Sequence, residues 1–378
     1  MSAKKASPGR KRLLTAAIDL FAGRWYEAVS IVEICKQADL SNGAFYKHFP
    51  NKETIFLTIV ETFLEKFEPV FQSFDGVTVP ERLEEFYCKL LTVNREERDL
   101  IQIFREAELK YPEFEKRLRE IYMNALEVVF GRPISEAEYL YAIAGVRFMV
   151  RRPVFNEEHV SAEMLAKYVL NGLFPEPAEH PSEDRYLTIP NEPAMAFPGD
   201  STKHKLIMAG LELFGKKGYH VVNVFEIAQQ AGFSVGTFYL HFSSKEVFLV
   251  EVIRHISLEI RWYIALRAEH TLPRLHSEIL ALRLFLNFFL SHKEYYQIAR
   301  EAEFTPTEAM DEYYDGFEQA YIQTFKNESI ENPRVVAAYL MGIAHYMGID
   351  YVFSRTVDDV VSVLREFVHI FEHGLTVE

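Results

Sequence analysis

Two nine-residue blocks gather the polar side chains with the most chemistry to offer. Ser41-Asn42-Gly43-Ala44-Phe45-Tyr46-Lys47-His48-Phe49 carries a hydroxyl, an amide, a phenol, an ammonium and an imidazole. Ser234-Val235-Gly236-Thr237-Phe238-Tyr239-Leu240-His241-Phe242 follows the same plan. Such groups donate hydrogen bonds to anionic oxygens and ring edges. They do not make a nucleophile and base pair, and the rest of the chain supplies none. HExxH, GxSxG, a phosphate-cradling glycine loop and a close Cys/His cluster are all missing. An enzyme is not expected, nor a cofactor, nor a metal site.

The elements that hold these blocks are duplicated. At an offset of 193 positions, Leu13, Ala16, Leu20, Phe21, Tyr26, Val29, Glu33, Ile34, Gln37, Ala38, Ser41, Gly43, Phe45, Tyr46, His48, Phe49, Lys52 and Glu53 meet identical residues, 18 in roughly 45 ungapped positions. Arg105-Glu106-Ala107-Glu108 recurs as Arg300-Glu301-Ala302-Glu303, and Gly172-Leu173 as Gly374-Leu375. A unit this long means duplicated domains and not a solenoid. Between the copies, 175–200 holds six of the sixteen prolines: Pro175, Pro177, Pro181, Pro190, Pro193 and Pro198. Prolines at that density oppose regular helix, so this segment reads as an extended linker.

Helical periodicity dominates both copies. Leu13, Ala16, Ala17, Leu20 and Phe21 fall on one helical face, as do Leu206, Ala209, Gly210, Leu213 and Phe214. No sustained period of two appears, so the fold class is all-α. Within each block an amphipathic helix leads to a short one (Ser30–Ala38, Asn223–Ala231), a break, and a second short one capped by Ser41 or Ser234. Gly232 suits a left-handed helix end; Asp39, at the same place in the first copy, suits it less. Two short helices joined this way form a helix-turn-helix, whose second helix can enter a major groove.

Here the residues carry a family resemblance. Ser41 to Phe49 followed by Asn51-Lys52-Glu53 resembles the DNA-binding signature of TetR-type transcriptional regulators. Gly218-Tyr219, Ile227-Ala228, Ala231-Gly232, Ser234, Gly236-Thr237-Phe238-Tyr239, His241-Phe242 and Lys245-Glu246 resemble it more closely. The first copy departs with Trp25 where the pattern prefers Gly and Cys35 where Ala is usual; Ser30 and Asn223 stand where Thr is frequent. The close match covers about a quarter of the chain. It implies two tandem units, each a three-helix DNA-binding domain followed by a helical ligand-binding and dimerisation domain. The expected domains are a DNA-binding head at 1–55, regulatory helices at 56–174, the linker at 175–200, a second head at 201–248 and regulatory helices at 249–378. Since such regulators usually act as homodimers, the fused chain is expected to be a monomeric pseudo-dimer.

The resemblance and the helix geometry together assign roles. Tyr46, Tyr239, His48, His241, Lys52 and Lys245 are expected on phosphates, with Ser30, Asn223, Ser41 and Ser234 capping and able to donate. Base edges fall to Asn42, Ala44 and Lys47 in one copy and to Val235, Thr237 and Leu240 in the other. Those sets differ, so the expected partner is a double-stranded operator with two unlike half-sites. Phe45, Phe49, Phe238 and Phe242 read as core.

Charge distribution agrees. The chain totals -14, yet residues 1–60 hold nine Lys/Arg against five Asp/Glu, and 201–255 hold six against four. Lys4, Lys5, Arg10, Lys11 and Arg12 form a basic N-terminal arm. Two cysteines, Cys35 and Cys88, exclude a disulfide framework. The longest apolar stretches, such as Tyr139 to Val150, are too short to span a bilayer, so neither a membrane partner nor a location outside the cytoplasm is expected.

The remaining helices are expected to bind a small apolar or aromatic effector, with repression as the usual outcome, but no pocket residues are assignable. The Arg105–Glu108 and Arg300–Glu303 repeats read as surface ion pairs left by duplication, and His345 as a core or lining residue. A second reading stays open: a sensor or interaction module with one or both heads no longer on DNA, motivated by Trp25, the missing Thr and the acidic total.

Overall fold

A computed structural model describes residues 7–189, 199–305, 308–326, 328 and 330–376. The chain divides into two compact units, Met1–Gly131 and Arg132–Glu378. Among the described residues the regular elements are helical, without strands.

The first unit contains α1 (Pro8–Gly23), α2 (Ile31–Gln37), α3 (Asn42–Tyr46), α4 (Lys52–Phe67), α5 (Val79–Glu96), α6 (Arg98–Lys110) and α7 (Pro112–Phe130). Each short helix of the head starts on a side-chain cap. Ser30 accepts from the Glu33 N–H while Glu33 reaches back to the Ser30 N–H, a capping box; Ser41 caps α3 and Asn51 caps α4. Leu13, Phe21, Tyr26, Ile34, Phe45, Phe49 and Phe56 bury themselves as the head's core. Helices α4 to α7 then pack around Phe63, Phe67, Phe71, Phe86, Phe104 and Tyr122, whose rings meet at tilted or edge-on angles.

The second unit begins inside the first repeat. Helix α8 (Glu136–Tyr139) continues through a π turn, Leu140–Ala144, into α9 (Gly145–Met149), followed by α10 (Pro153–Glu157) and α11 (Ala162–Asn171). The second repeat supplies α12 (Thr202–Lys217), α13 (Val224–Gln230), α14 (Val235–His241), α15 (Lys245–Arg267), α16 (Arg274–Ser291), α17 (Lys293–Ala302), α18 (Ala309–Phe325), α19 (Pro333–Gly348) and α20 (Val360–His373). Its head is built as the first is, with Asn223 in a capping box with Glu226, Ser234 capping α14, and Phe214, Phe238, Phe242 and Phe248 buried.

Helices from the two repeats pack together in this unit. α9 lies against α19, and α8 against α20. The first crossing brings backbones nearly into contact: a Cβ on Gly342 would stand 2.7 Å from the Ala144 carbonyl oxygen. The helix ends interlock reciprocally. The Leu173 N–H donates to the Phe371 carbonyl (2.7 Å), and the Leu375 N–H donates to the Val169 carbonyl (2.7 Å). Each donor and each acceptor is related to its counterpart by the same sequence offset, so the two strands of contact exchange roles as across a two-fold axis.

Of the linker prolines, Pro190, Pro193 and Pro198 fall outside the described residues, as do Lys4 and Lys5 of the basic arm. The described part of the linker is not a free tether. It forms a 3-10 turn at Glu183–Arg185, buries Tyr186 and Leu187, and is pinned where Arg365 donates to Glu183 (2.8 and 2.9 Å). Arg10, Lys11 and Arg12 lie within α1 and not on an arm.

Contrary to the expectation that the longest apolar stretches are too short, Pro333–Ser354 has the length and apolarity to cross a membrane, with mean hydropathy 1.3; Arg334, His345 and Asp350 break up the run along the sequence. It is the central helix of the unit, 78% buried. Helices α15 to α19 line a partly open cavity of about 840 Å³, with His345 among its lining residues.

Candidate nucleic-acid interface

The second helix of each motif presents its polar side outward because its Phe residues are fixed inward. Phe45 and Phe49 pack under α3, and Phe238 and Phe242 under α14. The i+1 neighbours of the first Phe in each pair must then face solvent: Tyr46 is 59% exposed and Tyr239 54%. Asn42, Lys47, Leu240 and His241 are exposed, while Ala44, His48, Val235 and Thr237 are half-buried along the same side. Leu240, 83% exposed, is an apolar side chain that nothing in its own head covers. Ser41 accepts from the Ala44 N–H and Ser234 from the Thr237 N–H, both at 3.2 Å, and the Ser234 and Thr237 hydroxyls share a hydrogen bond of 3.1 Å. The two serines set the helix starts, and Thr237 shares that cap.

The turn before each second helix is left-handed. Gly232 has φ +79° and Asp39 φ +51°. The non-glycine residue is braced: Arg12 donates to the Asp39 carbonyl (2.8 Å) and to its carboxylate (2.9 Å). Arg12 therefore works within the head. Trp25 is accommodated by a different backbone route, φ -50°, where Gly218 has φ +83°.

Lys52 and Lys245 differ from expectation. Each ammonium turns inward. Lys52 donates to the carbonyls of Tyr26 and Val29, both at 2.8 Å, and Lys245 to those of Tyr219 and Val222, also at 2.8 Å. Each also lies over a ring, Tyr26 at 4.1 Å and Tyr219 at 4.3 Å. Burial lowers both ammonium pKa values. The Tyr26 carbonyl also accepts from the Val29 N–H (3.2 Å), but the Val29 carbonyl depends on the lysine, and satisfying loop carbonyls draws the ammonium inward. These lysines position the heads.

Within the repeated Arg-Glu-Ala-Glu segments, the middle carboxylates reach into the heads. Glu106, 3% exposed, accepts from the backbone N–H of Tyr26 at 2.7 Å; Glu301 accepts from that of Tyr219 at 2.9 Å. Burial pushes the Glu106 carboxyl up to about 8, against the pull of that N–H. The first regulatory helix that touches each head thus grips the loop from one side while the lysine grips it from the other. Val32 and Phe225, at equivalent positions on α2 and α13, are also exposed and apolar. Their place off the buried stripe of Ile34 and Ile227 was the signal that could have marked them.

The faces differ in charge. Lys47 adds a cation to the first, while Val235, Thr237 and Leu240 make the second largely apolar. Hydroxyl, amide and ammonium groups on a solvent-facing helix of this size suit contact with a phosphate backbone and base edges.

Residues 13–59 and 206–252 each match the family of bacterial regulatory proteins described as the tetR family. The uncharacterized HTH-type transcriptional regulator YerO of Bacillus subtilis is 26% identical over 188 residues, 43% of this chain and 63% of that protein. The HTH-type transcriptional activator FasR of Mycolicibacterium smegmatis is 42% identical over 60 residues, 16% of this chain and 27% of its own length. The chain spans less than two thirds of either relative. Among solved structures, the fatty acid degradation regulator FadR from Bacillus halodurans aligns with TM-score 0.41 and 16% identity, over 48% of this chain and 100% of that one. FadR from Bacillus subtilis, solved with stearoyl-CoA, aligns with TM-score 0.39 and 18% identity, over 46% and 99%.

Proposed function

We propose that this chain, which carries the DNA-binding domain of the tetR family once in each repeat, is a ligand-responsive transcriptional regulator that reads a double-stranded operator with two unlike half-sites. The observation that carries this is the pair of exposed second helices, built by the same caps and the same buried Phe pairs yet differing at every base-facing position. Tyr46 and Tyr239, with His48 and His241, contact phosphates; Ser30, Asn223, Ser41 and Ser234 fix the helix starts that approach them. Asn42, Ala44 and Lys47 read one half-site, and Val235, Thr237 and Leu240 the other. Lys47 is suited to guanine, and the apolar set to thymine methyls.

The two repeats form a pseudo-dimer within one chain, a reading supported by the reciprocal hydrogen bonds of Leu173 and Leu375. The effector occupies the cavity among α15 to α19, whose lining of Phe, Tyr, Ile and Met side chains suits an apolar or aromatic body. Repression follows where the operator overlaps a promoter, and the cytoplasm is the compartment of action. The alternative, heads that have left DNA, fits poorly with an intact capping box and exposed Tyr in both copies.

Fluorescence anisotropy with the DNA upstream of the chain's own gene tests the proposal. Binding should exceed that to random duplex and weaken steeply from about 50 to 200 mM salt, as phosphate contacts require. Equal affinity for both duplexes would sink it.

A further inference from the structure

The two repeats differ at one buried position in an otherwise identical segment. Gln102-Ile103-Phe104-Arg105-Glu106-Ala107-Glu108 becomes Gln297-Ile298-Ala299-Arg300-Glu301-Ala302-Glu303. Phe104 is buried, and its ring meets that of Phe63 at 5.2 Å. At the offset of 193, Phe63 corresponds to Ile256, so the second repeat has lost both rings of that contact. Ala299 is buried and lines the 840 Å³ cavity. Replacing a buried ring by a methyl group opens space unless the surroundings collapse onto it, and here they have not.

The charges around that space are unbalanced. Its lining carboxylates Glu269, Glu278 and Glu303 already face Arg185, Arg274 and Arg151, and Glu328 is exposed. Two lining arginines have no such partner. Arg261 donates its Nε to the Ser257 carbonyl (3.1 Å), and Arg300 lies over the Phe353 ring at 5.0 Å. Neither forms an ion pair among the described residues, although the Arg300 charge still acts on the nearby Glu303 carboxylate. A guanidinium cannot shed its proton, so a half-buried one at an apolar cavity favours an anionic guest. Arg274 adds a buried Nε without a hydrogen-bond acceptor.

We infer that the second repeat alone holds the effector site, opened by Ala299 where the first repeat has Phe104, and that it takes an amphiphilic anion: a ring-containing or acyl body with one compact anionic head met by Arg261 and Arg300. This rests on the effector reading above and makes the sensor one-sided, with the first repeat a fixed partner.

A matched pair of fluorescent probes tests it on the full chain: 8-anilinonaphthalene-1-sulfonate and the same molecule without its sulfonate, N-phenyl-1-naphthylamine. The sulfonate should bind at one site per chain, at least about tenfold more tightly than the neutral probe, in line with a charge-assisted hydrogen bond. Ala299→Phe should abolish both, with Ala299→Leu as the smaller filling should the first variant not melt cooperatively. Arg261→Met with Arg300→Met should remove the sulfonate's advantage and leave the neutral probe within about twofold. Two sites per chain, unchanged binding in both Ala299 variants, or equal loss of both probes in the arginine variant would overturn the inference. The probe measurements contain no DNA. Failure of the wild-type chain on its operator therefore counts against the proposed function alone.

Discussion

Lys47 and Lys52 lie five positions apart, yet the structure sends their ammonium groups in opposite directions. Lys47 is exposed on α3, and Lys52 is tied to two carbonyls. The salt dependence of operator binding separates them. Lys47→Leu should lower the slope of log affinity against log salt by about one and shift preference in a single half-site. Lys52→Met should leave the slope unchanged and cost about 1–3 kcal/mol of stability in chemical denaturation, since the Val29 carbonyl loses its donor and the Tyr26 carbonyl one of its two. Glu106 gives a pH signature. Its carboxyl, raised from 4.5 to about 8, makes the folded state prefer the protonated form. That contribution is complete below about pH 4.5 and is lost as pH rises to about 8, a few kcal/mol at most. Glu106→Gln keeps an acceptor for the Tyr26 N–H and should flatten this decline. A denaturation midpoint that falls equally in both proteins between those pH values would refute the assignment.

At the scale of elements, caps and breaks were written locally and so could be read from the chain. Ser30 with Glu33, Ser41, Asn223 with Glu226 and Ser234 act within one turn, and each sits where its type suggests. Gly232→Ala should cost about 1 kcal/mol of second-head stability, because a Cβ there meets no atom within 4 Å and only the left-handed backbone resists it. Thermal melting of the variant measures it, and no change would show that the turn relaxes. What spacing could not convey was contact across the chain. The bond from Glu106 joins positions 80 residues apart, and an i, i+3 pattern says nothing of such a partner. The inward turn of Lys52 was hidden similarly, since its acceptors are carbonyls of a loop with no side-chain signature. Asp39 was legible as awkward, but not Arg12 as its brace.

At the scale of the molecule, duplication was plain in the sequence, but the place where the chain divides was not. The compact units part at Gly131, inside the first repeat, so its last helices belong with the second. Residues such as Gly342 and Tyr339 that let α9 and α19 pack closely carry no mark of which repeat they will meet. If the pairing is internal, one chain should occupy one operator. Sedimentation of the complex should give a one-to-one mass, with occupancy rising in simple proportion to protein at low concentration. A two-to-one complex would place a further chain on the DNA.

The interlocked ends at Leu173 and Leu375 have a genetic corollary. When partners come as separate subunits, a defective copy can seize a sound one and spoil it. If each repeat is matched with its sibling on the same polypeptide, as proposed, no exchange of subunits can follow. Damaged alleles of this gene should therefore be recessive, where those of an ordinary two-subunit relative would be dominant.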